Sequence, residues 1–321
     1  MDRQLSLEFA RITEQAALKS ARLVGLGDKE GADQAAVDGM HEQFALTPVS
    51  GTVVIGEGEI DEAPMLYIGE HVGQGGEEVD IAVDPVEGTN LVAKGKNGAI
   101  AVLAIAPKGC LLHATDMYMQ KICVGPRAKG RIDIRASVTE NLKNVADAMG
   151  REVSDLTMVI LDRERHEKII REAREAGARV YLITDGDVVP SVDCGIQGSG
   201  IHMVMGSGGA PEGVLSAVGL KCLGGDMQAR LLPQTEQEIQ RLHTMGIDDP
   251  NKVLTLDDLV KGDDCIFAET AITDCAMLRG VRFFGGGART STLVLRYKTG
   301  TVRFIDTVHR FGEDKPGVRM F

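Results

Sequence analysis

Apolar positions recur at helical spacing over residues 5–24, with Phe9, Ile12, Ala16 and Leu23 near one stripe, and Gly25 and Gly27 end the pattern. A second helical stretch spans about 32–44. There Asp33, Val37, Met40 and Phe44 fall in line, so one stripe carries three apolar residues and a carboxylate. A carboxylate aligned with an apolar face needs a partner, because a lone buried charge is costly. An acid in the first helical turn complementing the dipole is the competing explanation. Short apolar runs then predict strands at 52–55, 79–83, 99–106, 117–124 and 131–135, with Gly and Pro between them. Up to about residue 136 the pattern is that of a sheet flanked by two N-terminal helices.

A different rhythm follows. Ser137-Val138-Thr139-Glu140 has the form of a capping box and opens a helix to about residue 149. Strands at 157–161, 180–183 and 201–205 alternate with helical stretches at 164–176, from Asp187, and at 211–223. Three successive βα units imply a parallel sheet, and ligands of such sheets bind beyond the carboxyl ends of the strands. Those ends carry Arg163-Glu164-Arg165-His166, Asp185-Gly186-Asp187 and the glycine-rich run 206–213. A helix near 235–245, a strand at 265–270 and a hairpin of 291–297 with 301–307 complete the chain. The α/β pattern divides into a catalytic domain at 1–136, a βα substrate-binding domain at 137–250 and C-terminal strands at 251–321 that return to the core.

Composition narrows the candidate functions. The 321 residues carry a formal net charge of −12, which disfavours nucleic acid and anionic membrane surfaces as partners. Trp is absent and aromatics are 4%, so stacking platforms are not expected. The six cysteines form no CxxC pair and several sit in apolar runs, which predicts buried free thiols in a reducing cytoplasm. The first ten residues lack a signal-peptide core, and no apolar run approaches the ~20 residues of a membrane span.

The chemistry concentrates in acidic turns. Asp84-Pro85-Val86-Glu87-Gly88-Thr89 closes an apolar strand; Pro85 biases Asp84 to extended backbone and Gly88 lets the chain turn. Asp84 and Glu87 can then face one pocket with the Thr89 hydroxyl. Hard oxygen donors without a competing His/Cys set suit Mg2+ or Mn2+; a turn in which Asp84 and Thr89 only cap backbone N–H groups is the plain alternative. Upstream, Gly56-Glu57-Gly58-Glu59-Ile60-Asp61 crowds acids at a strand end, and alternation aims Glu57 and Glu59 to one side. A cation would relieve their repulsion; a solvated acidic loop would not need one. Glu212 begins a helix after a Gly-rich strand end, where it could serve as a ligand or merely complement the dipole. Pro211 spoils any GxGxxG fingerprint and no P-loop is present, which excludes a dinucleotide site. Arg163 and Arg165 offer donor forks to phosphate oxygens, or else salt bridges to Glu164 and Glu167. His166 reads as a helix-start structural residue.

Asp33, GEGE at 56–59, DPVEGT at 84–89, DMYM at 116–119, DGDV at 185–188 and GGAPEG at 208–213 occur together and in order. In this the chain resembles the class II, bacterial-type fructose-1,6-bisphosphatases of the lithium-sensitive sugar and inositol phosphatase superfamily, over essentially its whole length. Glu87, where that superfamily usually has Asp, marks the class II branch. The resemblance implies a layered α-β-α-β-α sugar-phosphatase fold with a mixed N-terminal sheet. It also implies two Mn2+ or Mg2+ sites, one held by Asp33 and Glu57 and the other by Asp84, Glu87 and Glu212. Asp61 and Thr89 would orient and activate water, with Lys29 and Glu59 in support. Glu87, Gly88 and Thr89 would touch the reacting phosphate. Tyr118, Arg163, Glu164, Arg165, Asp185, Gly186, Asp187 and Gly209 would hold the sugar and its distal phosphate. Glu164, His113, Thr115, Glu269 and Ala271 depart from the family pattern and bear on substrate preference rather than reaction type.

The expected activity is hydrolysis of the 1-phosphate of fructose 1,6-bisphosphate in the cytoplasm by a homo-oligomer, dimer or tetramer. The same chemistry on sedoheptulose 1,7-bisphosphate or an inositol phosphate, and a non-catalytic sugar-phosphate-binding regulator, are the alternatives.

Overall fold

The computed structural model describes residues 1–2, 4–58, 65–114, 116–244, 247–249 and 251–312. Along the chain lie α1 (Leu5–Ser20), α2 (Lys29–Phe44), β1 (Val49–Ile55), β2 (His71–Val72), β3 (Glu77–Glu87), α3 (Thr89–Ala93), β4 (Ile100–Pro107), β5 (Tyr118–Val124) and α4 (Val138–Met149). Then come β6 (Thr157–Leu161), α5 (Glu167–Glu175), β7 (Arg179–Ile183), α6 (Val188–Asp193), β8 (Met203–Gly209), α7 (Ala210–Leu223), β9 (Asp226–Leu232) and α8 (Glu236–Thr244). The chain ends with β10 (Leu254–Thr255), α9 (Leu256–Leu259), β11 (Ile266–Ala271), β12 (Arg282–Phe284), β13 (Gly287–Arg296) and β14 (Thr301–Arg310). These elements form two compact units, Met1–Gly109 with Asp264–Phe321, and Cys110–Asp263.

The first unit is built on an eight-stranded sheet in the order β12-β13-β11-β4-β3-β1-β2, with β14 also on β13. Only the β1–β3 pairing within it is parallel, so the sheet is mixed. Phe9, Ile12 and Leu18 of α1 and Met40 and Phe44 of α2 pack on Ile81, Val83, Ala101, Leu103 and Ile105 of the sheet. The helical stripe read from the sequence is therefore the core face. Seven consecutive residues of β4, Ile100 to Ala106, are buried, which is why that strand reads as an unbroken apolar run.

The second unit has a six-stranded sheet in the order β10-β9-β5-β8-β6-β7. The three βα strands pair in parallel as expected, β7 on β6 and β6 on β8. β5 and β9 add antiparallel ladders, so this sheet is mixed too. Here the structure corrects the reading of residues 117–124. The sequence pattern predicts that run in the N-terminal sheet, yet β5 sits in the middle of the second one, between β8 and β9. Residues 131–135 are no strand. Ile132 and Ile134 are buried with strand-like alternation, but the backbone there bonds to side chains. Asp133 N–H donates to Asn141, Ile134 N–H to Gln228, and the Gln228 amide to the Ile132 carbonyl, all at 2.9 Å. Ser137 caps α4 by accepting from Glu140 N–H, as its motif predicts. All six cysteines are free thiols, and no described helix is long and apolar enough to cross a membrane.

One buried charge has no compensation. Asp193, the last residue of α6, is 1% exposed, and neither carboxylate oxygen has a hydrogen-bond partner among the described residues. Burial pushes its pKa from 3.8 up to about 7. Between those values the folded chain keeps a proton that the unfolded chain has released, so stability falls as pH rises through that window. Asp193→Asn should raise the unfolding free energy, read by urea denaturation, more at pH 8 than at pH 5, a difference of up to about 3 kcal/mol. Equal gains at both pH values would show that Asp193 is not a source of this pH dependence.

Candidate active site

In the first unit, the sequence places acids at three successive chain turns. Asp28 caps α2 by accepting from Gly31 N–H at 2.8 Å, which sets Lys29, exposed, as the first helical residue and Asp33 one turn further on. Glu57 follows β1 across Gly56. A Cβ at Gly56 would stand 1.9 Å from the Leu66 carbonyl oxygen. The same oxygen accepts Glu57 N–H at 3.0 Å. Glycine is thus required for the chain to bring Glu57 to this place. Asp33 and Glu57, both half-buried, meet carboxyl to carboxyl in a hydrogen bond. Burial first, and then the charge of Asp33, push Glu57 up to about 8, while burial also raises Asp33. Two carboxyls can hydrogen-bond to each other only by holding a proton between them. A hard divalent cation relieves the same repulsion without that proton.

The third turn is the end of β3. Residues 84 and 87 are an odd number apart and would face opposite sides of a regular strand. The ladder with β4 shifts there, since Asp84 lies opposite Val102 and Glu87 opposite Ile100. Three steps on β3 match two on β4, which is a β-bulge, and it turns both carboxylates to one face. Pro85 sits in the bulge, where its missing N–H costs no ladder bond. Val86 N–H instead donates to Asp84 Oδ1 at 3.1 Å. Gly88 has φ 92°, a conformation glycine adopts without strain, and it delivers Thr89 as the first residue of α3. Glu59 and Asp61 lie outside the described residues. Among the described residues no three His, Cys, Asp or Glu side chains converge as a metal cluster; the oxygen donors of this unit come in two pairs, Asp33 with Glu57 and Asp84 with Glu87.

The second unit gathers the other group at the carboxyl ends of β6, β7 and β8. Its centre is Lys121, a residue the sequence reading passed over. Lys121 is 1% exposed and its Nζ donates to Asp187 Oδ1 at 2.6 Å. Its signal was a single charge at an inward position of an otherwise apolar strand. A Cβ on Gly208 would fall 2.5 Å from Asp187 Oδ2, so a side chain there would push the carboxylate off this pair. Glu212 is raised by burial, against the nearby positive charge of Lys121. Its Oε2 is buried without a hydrogen-bond partner among the described residues, and a Cβ on Gly209 would overlap it at 1.9 Å. A carboxylate oxygen left open in this way fits a hard metal ion better than it fits dipole complementation.

Arg165 and Tyr118, both assigned to substrate, come together, with the guanidinium 5.1 Å from the ring centroid. Arg165 also donates to the Ser207 hydroxyl at 3.0 Å and the Ser207 carbonyl at 2.8 Å. Arg163 donates to the carbonyls of Asp162 and Thr184, next to Asp185 and Gly186. Neither arginine makes the salt bridge to Glu164 or Glu167 that the helix-surface alternative requires, and Glu164 is exposed. His166 is a neutral strut, as expected. Its Nε2 accepts Ser207 N–H at 2.9 Å, which leaves Nδ1–H to donate to the Leu161 carbonyl at 2.8 Å. Burial lowers its pKa. Of the departures from the family pattern, His113 is exposed, Glu269 and Ala271 are buried in β11, and Thr115 lies outside the described residues.

Lys121→Met should destabilise the chain by about 3–5 kcal/mol, because it strands Asp187 without its cation. Lys121→Met combined with Asp187→Asn should recover much of that loss. Denaturant midpoints of the two variants check this, and a double variant as weak as the single one would show that Lys121 acts through something other than charge pairing.

The chain is similar along its whole length to known proteins. Residues 3–309 match the family described as bacterial fructose-1,6-bisphosphatase, glpX-encoded. A Synechococcus protein (strain JA-2-3B'a(2-13)) named D-fructose 1,6-bisphosphatase class 2/sedoheptulose 1,7-bisphosphatase is 50% identical, with 100% of each chain covered. Proteins of the same name from Crocosphaera subtropica, 48% identical over 96% of this chain and 97% of its own, and from Trichodesmium erythraeum, 47% identical over 98% and 99%, are similar throughout. With the match running across both units and both groups of site residues, the chain belongs to the bacterial fructose-1,6-bisphosphatase family.

Proposed function

We propose that this phosphatase hydrolyses the 1-phosphate of fructose 1,6-bisphosphate, using Mn2+ or Mg2+, and that sedoheptulose 1,7-bisphosphate is a second substrate. The observation that carries the metal requirement is the Asp33–Glu57 carboxyl pair, two half-buried acids in contact with no cationic side chain among the groups that shift them. The second substrate rests on the double name that the cyanobacterial relatives bear.

Asp33 and Glu57 would hold one ion and Asp84 and Glu87 a second, to which Glu212 is added by resemblance to the family alone. Bound there, the ions would neutralise phosphoryl oxygens and make water a better nucleophile near neutral pH. The residues of the chain supply position. The bulge in β3 fixes Asp84 and Glu87 on one face, and Gly88 lets Thr89 stand at its edge with a hydroxyl that can orient the attacking water. Asp61, with Lys29 and Glu59 in support, completes that role by resemblance to the family. Arg165, braced by Ser207 and Tyr118, and Arg163, held by two carbonyls, are pre-placed forks for the distal phosphate. Gly186 and Gly209 keep the chain low beside the sugar, with Asp185 and Asp187 as acceptors for its hydroxyls. The leaving alkoxide takes its proton from water. The same reading carries a cytoplasmic location and a homo-oligomeric state, both supported by family resemblance alone.

Phosphate release from fructose 1,6-bisphosphate should require added Mn2+ or Mg2+ and vanish on chelation; turnover that survives thorough chelation refutes the metal requirement. Thr89→Ala should cut kcat by about 10²-fold or more while KM changes little. A panel at matched metal should show turnover of sedoheptulose 1,7-bisphosphate and little of inositol phosphates.

A further inference from the structure

The second unit holds a cavity of about 510 Å³ that belongs to none of the residues assigned above. It lies where Thr157, Arg179 and Met203 begin β6, β7 and β8, whereas Arg163, Arg165 and Asp185 lie past the other ends of β6 and β7 and Gly209 closes β8. Five strand residues separate the two ends, roughly 16 Å at ~3.3 Å per residue.

The cavity is basic in a chain whose net charge is −12. Arg127, Arg151, Arg179 and His202 all line it. Arg127 donates to the Met149 carbonyl at 2.7 Å. Arg179 donates to the Asp155 carbonyl at 2.6 Å and to the Thr157 hydroxyl at 3.2 Å. Among the described residues none of the three guanidiniums has a carboxylate partner. Asp155 is the acid whose charge reaches His202, and it pairs with none of them. Arg outside an ion pair, held by neutral carbonyls and facing a cavity, is the arrangement that receives an anion.

His202 makes the point sharper. Thr157 N–H lies 2.9 Å from His202 Nδ1 and can only donate. Nδ1 is therefore the acceptor, and the neutral ring carries its proton on Nε2. Turning the ring over would set a carbon against Thr157 N–H and lose that bond. Yet Nε2 lies 3.0 Å from Arg151 Nη1, which also can only donate. Two N–H donors thus meet head-on at 3.0 Å, too close for an atom between them, and an anion on the cavity side of the pair, taking both bonds as Arg151 swings off the ring, relieves the conflict. Burial, with Arg151 and Arg179 nearby, lowers the His202 pKa and keeps the ring in this neutral form.

We propose that this cavity is a second anion site, which binds a small phosphate ester remote from the hydrolytic centre. The phosphate sits between Arg151, Arg179 and His202 Nε2–H. The volume exceeds what a phosphate alone needs and falls in the range of small-molecule pockets. Pro126, Ala128, Met149 and Ile201, which also line the cavity, receive the organic part.

The test is equilibrium dialysis of the full-length, metal-free chain with inorganic phosphate and with phenylphosphonate, which cannot be hydrolysed. An Arg165→Ala background removes the anion subsite assigned to substrate. In that background both probes should still bind one per chain, phenylphosphonate more tightly. Adding Arg151→Ala or Arg179→Met should weaken both by tenfold or more. Arg151→Ala alone should keep its turnover of fructose 1,6-bisphosphate within twofold, and Arg151→Gln serves in its place should the alanine variant not fold. Loss of all binding in Arg165→Ala, or binding indifferent to Arg151 and Arg179 together, overturns the site. Phenylphosphonate no tighter than phosphate overturns the organic part. Because neither metal nor turnover enters the binding measurement, failure of the hydrolytic reading would not disturb it.

Discussion

A carboxylate removed from water has to find positive charge or a proton, and this one requirement shapes the chemistry of both units. In the second unit Asp187 finds Lys121, a lysine drawn into the centre of an apolar strand for that purpose. In the first, Asp33 and Glu57 find each other and share a proton. Glu212 keeps one buried oxygen without a protein partner. The three cases differ in meaning. The lysine pair has its charge balanced inside the protein. The acid pair and the Glu212 oxygen are open, and an ion of the right size completes them. Hydrolysis of a phosphate monoester needs positive charge placed before substrate arrives, since its transition state is stabilised mainly electrostatically. Open carboxylates on a rigid frame are how a chain of net negative charge acquires it.

The frame is provided by strand ends. The bulge at Pro85 and Val86 is a small departure from a regular ladder, yet without it Asp84 and Glu87 would face opposite sides of β3. Gly56, Gly208 and Gly209 have a comparable part, for each stands where a methyl group would collide with the carbonyl or carboxylate that defines the site. In the second unit the same strands carry function at both ends. Their carboxyl ends present Arg163 and Arg165, and their amino ends open on the cavity of Arg151, Arg179 and His202. The long-range pairing that builds one end necessarily builds the other.

Much of this was readable from the chain. Local signals were sufficient wherever the determining interactions are local: the Ser137 cap, the core stripe of α1 and α2, the βα rhythm of β6 to β8, and a turn rich in acids after β3. The Asp33 carboxylate stood out because it interrupted an apolar stripe, and it indeed has a partner. The reading failed where partners come from afar. Residues 117–124 look the same in any sheet, and only their pairing with β8 and β9 places them. Residues 131–135 alternate like a strand, but Asn141 and Gln228 take the backbone bonds a neighbouring strand would have made.

By itself the sequence determined the element types, the acid-rich turns and, through motifs in fixed order, the family. The tertiary structure alone decided which sheet each strand joins, that Lys121 belongs to Asp187, that a bulge aligns Asp84 with Glu87, and that three arginines and His202 share one cavity. Those are relations between residues far apart in the chain, as with Ile100 and Ala271 of the paired strands β4 and β11. Periodicity and capping act within a few turns of chain, whereas charge pairing and sheet register are settled only when distant segments compete for the same partners.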